Sequence, residues 1–132
     1  MDMLVADIEG DSRPEVLVLT GNDLGIGQEV RVYRHDLQLL RTIAMQVPVS
    51  TLAVEPGSGG RRNLLVGTGA PYYYYSEPPD SDVRAIDSTT GALVWKSPAL
   101  PGMFSKNSLR TVDFDNNGVA EIVFGTNVGM ST

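Results

Sequence analysis

Acidic side chains recur at alternate positions in two short stretches: Asp7, Glu9, Asp11 and Glu15 in "DIEGDSRPE", and Asp113, Asp115, Asn117 and Glu121 in "DFDNNGVAE". Oxygen donors spaced this way are what a tightly curled loop offers a hard cation. Calcium takes about 6–8 oxygens in flexible geometry, so four side chains, one backbone carbonyl and water can complete its shell. In the second stretch the carbonyl falls to Val119, and Gly118 permits the sharp turn. In the first it falls to Arg13, and Ser12 stands where glycine would turn more easily. Four crowded carboxylates repel one another without a cation, which favours metal there despite Ser12. The bland alternative is that Asp, Asn and Gly merely suit turns. Yet seven of the sixteen acids lie in these two stretches, more than turns require. Calcium is expected at both; magnesium demands stricter octahedral geometry, and zinc would want His or Cys, which neither stretch has.

An EF-hand is excluded. Its loop needs a bidentate Glu at position 12, where these stretches carry Val18 and Phe124, and helices on both sides. The flanking sequence reads as strand instead. Three segments align, "VADIEGDSRPEVLVLTG" from Val5, "AVEPGSGGRRNLLVGTG" from Ala53 and "VDFDNNGVAEIVFGTN" from Val112, with Asp7, Glu55 and Asp113 in register. Each reads strand, loop, strand, and the second strands (16–19, 64–66 and 122–124) are apolar enough for burial on both faces. The middle copy puts Gly57, Gly59, Arg61 and Asn63 in the ligand places, and Arg61 and Arg62 would oppose a cation, so no metal is expected there.

Between the copies, "EVRVYRHDLQLLRTI" and "DVRAIDSTTGALVWKS" read as strand, tight turn, strand, with His35-Asp36 and Thr89-Thr90-Gly91 as turns. Four-strand units therefore span residues 3–44 and 50–97, followed by the first two strands of a third over 109–127. Units of this size are how propeller blades look in sequence. The expected class is all-β: a β-propeller segment of four-stranded antiparallel blades, two and a half of them, completed by further blades or other chains.

The acidic segments resemble the FG-GAP/VCBS repeats of integrin-α-like β-propellers, whose blades carry a D-x-D-x-D-G-x-x-[DE] calcium loop between their first two strands. "LLVGTGAP" at 64–71 also looks like that family's "VVGAP" with a Thr-Gly insertion, whereas residues 83–96 are similar to the quinoprotein-type repeat, an Asp-x-x-Thr-Gly turn before a strand with Trp. Glu9 and Ser12 depart from the FG-GAP pattern. The resemblance implies a calcium-stabilised scaffold for adhesion or for recognition of a protein or carbohydrate ligand. The alternative it leaves open is part of an extracellular propeller enzyme, a polysaccharide lyase or quinoprotein-type dehydrogenase.

Composition agrees with a β-rich chain. Among 132 residues, 14 glycines and 8 prolines favour turns over long helices. A net charge of -6 disfavours nucleic acid and anionic membrane, and no apolar run is long enough to insert in a bilayer as a helix. Without cysteine there is no disulfide or thiolate chemistry. The N-terminus lacks a signal-peptide pattern, so export to an extracellular or periplasmic site, where calcium is abundant, would need a signal outside this sequence.

Tyr72, Tyr73, Tyr74 and Tyr75 form either an aromatic platform for a ligand or a packed edge strand whose side chains split between two faces. Trp95 reads as packing between blades, and His35, the single histidine, as an exposed turn residue. No nucleophile elbow or phosphate-cradling loop occurs, so no catalytic residue is assigned.

Overall fold

A computed structural model of the chain describes residues 2–21, 27–55, 60–68, 81–100, 103–104 and 108–127. Among these, every regular element is a strand. Seven strands, β1 (Asp2–Ala6), β2 (Glu15–Gly21), β3 (Gly27–Tyr33), β4 (Leu39–Val54), β5 (Leu64–Thr68), β6 (Val83–Ile86) and β7 (Leu93–Lys96), follow one another as an antiparallel meander. Beyond them β9 (Arg110–Val112) pairs with β10 (Glu121–Val123), and β8 (Met103–Phe104) with β11 (Thr126–Asn127). The all-β, antiparallel expectation holds in this form.

The units differ from expectation at their boundary. Sequence separated them between 44 and 50, but β4 is one strand of 16 residues. It pairs β3 mainly through Leu39–Ala44 and then β5 through Val49–Val54, so it closes the first four-strand unit and opens the second. Pro48, which has no N–H to give a ladder, lies where β4 changes partner.

Side-chain alternation explains how the units pack. From the first unit Leu17, Leu19, Val30, Val32 and Ile43 meet Leu52, Val54, Leu64, Val66 and Ile86 of the second in one buried cluster. The opposite face of the second unit carries Ala53, Leu65, Val83 and Ala85, which pack with Leu109, and Trp95, Leu100 and Ile122 lie against that cluster. The second unit is thus sandwiched, and all five residues of β5 are buried, as expected for a strand covered on both faces. The same expectation fails for β2. Leu17 and Leu19 are buried, but Val16 and Val18 on the other face stay partly exposed, beside Val5 at 59% exposure.

Register also corrects the alignment of the three copies. Glu15 pairs with Ala6, and Glu121 with Val112, the residue before each leading aspartate. In the middle copy the residue in that place, Asn63, receives the N–H of Glu55 on its carbonyl at 3.0 Å. Glu55 therefore matches Ala6 and Val112, not Asp7 and Asp113: the middle loop is one residue shorter than the aligned sequences suggested. A one-residue slip moves every side chain of the strand to the other face, which is why the packing detects it when composition does not.

Both predicted tight turns form. Asp87 Oδ1 accepts from the amides of Thr89 and Thr90 at 2.8 and 2.9 Å, and Gly91 takes φ +78° to let its own N–H reach the Asp87 carbonyl. At the first turn, the amide of Leu37 reaches the Arg34 carbonyl at 2.8 Å, and Arg34 pairs with Asp36 across His35.

Candidate metal centre

The two acidic loops join β1 to β2 and β9 to β10, and they share four internal contacts. Asp7 accepts from the amides of Asp11 at 3.2 Å and Ser12 at 2.8 Å, and also from Gly10 at 2.8 Å. Asp113 accepts from Asn117 at 3.1 Å and Gly118 at 2.8 Å. Asp11 accepts the amide of Arg13 at 2.9 Å, and Asn117 that of Val119 at 2.8 Å. Glu15 Oε2 takes the amide of Ile8 at 2.9 Å, and Glu121 Oε2 that of Phe114 at 2.8 Å.

Backbone conformation repeats as well. Gly10 and Ser12 adopt φ of +79° and +68°; their counterparts Asn116 and Gly118 adopt +59° and +87°. Ser12 thus makes the left-handed turn that its sequence disfavoured. Its amide donates to Asp7, which helps hold it there.

In each loop the wiring turns carboxylates toward one point. One oxygen each from Asp7, Asp11 and Glu15 lies within 4.8 Å of the others, and so it is for Asp113, Asp115 and Glu121. Oxygens about 2.4 Å from a calcium ion are at most about 5 Å apart, so both groups could hold a metal ion of that size. Asp115 also accepts the amide of Asn117 at 3.2 Å and its side-chain Nδ2 at 3.0 Å. The loops differ in setting: Glu15 is 2% exposed, whereas the third loop is mostly exposed, with Phe114 at 70%.

Glu9 is not brought together with the other first-loop residues. Its two carboxylate oxygens go to Arg41 and to Arg61, the latter at 2.9 Å. Arg61, expected to oppose a cation in the middle loop, instead reaches out to Glu9 and to Thr89. Asn63 donates from Nδ2 to Glu55 at 3.0 Å. Tyr72, Tyr73, Tyr74 and Tyr75 lie outside the described residues.

Sequence reasoning missed the seam that holds the first loop against the middle one. The amide of Arg62 donates to the Ile8 carbonyl at 2.9 Å, and Ile8 is fully buried in the cluster between the first two units. Gly10 sits so close to Gly60 that a Cβ on Gly10 would lie 2.4 Å from the Gly60 carbonyl oxygen. The signal was the paired glycines "EG" and "GG", which suited turns too well to suggest a close approach.

Burial opposes ionisation of Asp7, but the amides of Ser12, Gly10 and Asp11 and the charge of Arg62 together hold its carboxyl below the usual range. The Arg34 guanidinium brings Asp36 down to about 2. Asp82 is lowered by Arg84 and Thr68 against its own burial, and Asp87 by the amides of Thr90 and Thr89. Each of these groups has a folded pKa below its unfolded value. Their contribution is present above the unfolded carboxylate pKa, about 3.9, and is lost as pH falls through the folded values. Urea midpoints followed by circular dichroism should therefore hold between pH 7 and 5 and drop progressively below about pH 4. A midpoint that stayed constant down to pH 2 would contradict these pairings.

Comparisons of the chain with protein-family models, with curated proteins and with solved structures gave no match.

Proposed function

We propose that the chain is a calcium-stabilised segment of a β-propeller that serves as a scaffold for adhesion or for recognition of a protein or carbohydrate ligand. The observation that carries the calcium half of this reading is the shared wiring of the leading aspartate, the fifth residue and the closing glutamate in two loops far apart in sequence, each loop directing three carboxylates at one point. Turn-forming residues alone do not call for both features at once. Support for the propeller half is the order of packing. The first unit lies against one face of the second, and the third hairpin against the other, in chain order. Sheets stacked face to face in sequence order are how blades follow one another.

In this reading the metal is structural. A cation across Asp113, Asp115 and Glu121 ties the ends of β9 and β10, and one across Asp7, Asp11 and Glu15 ties β1 to β2. Such a requirement suits an extracellular or periplasmic setting, and further blades or other chains would complete the propeller. No described constellation supplies a nucleophile with its base, which favours the scaffold over the enzyme.

Calcium that binds only the folded state stabilises it by about 2.7 kcal/mol per site at a hundredfold excess over the dissociation constant. Chelation with EDTA should accordingly lower the calorimetric melting temperature by several degrees, and added calcium, but not added sodium, should restore it. An unchanged melting temperature in EDTA would sink the proposal.

A further inference from the structure

Glu9 stands at the third position of the first loop, the place taken by Asp115 in the third loop. Asp115 shares the point where Asp113 and Glu121 converge, whereas Glu9 is absent from the group of Asp7, Asp11 and Glu15. Its carboxylate is spread between two guanidiniums instead. Arg41 comes from β4 within the first unit and also donates from Nε to the Ser88 carbonyl of the second at 2.8 Å. Arg61 comes from the second unit's loop and reaches Thr89 as well. Glu9 and Arg41 are only 20% and 21% exposed, so their pairing is less screened than a surface ion pair. The same residues therefore join the first loop, β4, the middle loop and the turn between β6 and β7.

We infer that Glu9 is a latch between the first and second units and not a cation ligand, so that the first loop offers a cation three carboxylates while its fourth stays on the arginines. The extra methylene of Glu over Asp is what the latch uses: it carries the carboxylate away from the loop centre and toward Arg61. Arg61, read from sequence as hostile to metal in its own loop, thereby has a task in the neighbouring one. The calcium part of this inference rests on the proposed function; the latch itself does not.

Two measurements test it. In EDTA, urea unfolding of wild type, E9Q, R61Q and E9Q/R61Q should be non-additive, the double variant losing little more stability than the larger single loss. Additive losses would overturn the latch. For the cation, calorimetric titration with calcium is run with D113N/D115N in every protein, so that only the first loop is read. R61Q should then bind calcium severalfold more tightly, because a nearby positive charge is gone. E9Q/R61Q should return to within about twofold of the parent, since the local charge is restored and no ligand has been lost. A double variant about tenfold or more weaker than the parent would make Glu9 a ligand and overturn the assignment. If calcium binds none of these proteins, the calcium reading of the first loop fails and the unfolding cycle alone decides the latch.

Discussion

Gly10→Ala is expected to destabilise the protein more than Gly118→Ala, although both glycines sit in acidic loops with similar backbone angles. A left-handed φ costs an L-residue about 1–2 kcal/mol, and that cost applies to both, at +79° and +87°. Space separates them. A Cβ at Gly118 meets nothing within 4 Å, whereas at Gly10 it meets the Gly60 carbonyl oxygen at 2.4 Å. The obstacle is backbone, so relief requires the first loop to lift from the middle one. That would strain the Arg62–Ile8 hydrogen bond and draw Ile8 from its buried place. Urea denaturation of both variants in the same calcium concentration reads the difference directly. Equal losses would mean that the seam between the loops contributes nothing to stability.

The second large effect is expected from Leu65→Ala. Leu65 is fully buried in β5, the second strand of the sandwiched unit, on the face toward Leu109 and Ile122. Removing most of a buried leucine side chain costs about 2–5 kcal/mol, because lost transfer energy adds to the cavity left behind. Domains of ordinary size have only about 5–15 kcal/mol to lose. The damage should also be directional. Hydrogen exchange should speed up in β9 and β10, which pack on this face, before it does in β2 and β3. Leu64→Ala, one residue away on the opposite face, should reverse that order, since Leu64 belongs to the cluster shared with the first unit. Identical exchange patterns in the two variants would contradict the separation of the two seams.

Features that depend on neighbours in the chain are legible from residue order alone. The Asp87 turn needs only Asp, Thr and Gly at fixed offsets, and Val18 and Phe124 suffice to dismiss an EF-hand. The acidic loops are legible for the same reason: Asp7 and Asp113 cap amides no more than five residues away. What escapes a linear reading depends on residues distant in the chain. Glu9 has the right type and spacing for a ligand, but its destination is set by Arg41 and Arg61, 32 and 52 residues on. Glu55 falls one residue out of register in the aligned copies because "AVEPGSGG" offers no side chain that distinguishes one alignment from the next. The continuity of β4 through Pro48 is hidden for a different reason. Proline usually marks an edge or an end, and here it marks a change of partner within an unbroken strand.

That shared strand bears on how the molecule comes apart. Independent modules are normally joined by a linker that can slacken while each keeps its own hydrogen bonds. Here Val49 of β4 pairs with both Gly27 of β3 and Thr68 of β5, and Thr51–Val54 beyond it pair with β5 alone. Peeling away the first unit therefore pulls on the first strand of its neighbour. Tension applied along the chain passes through backbone from one sheet to the next, making the first two units a single cooperative block rather than beads on a string.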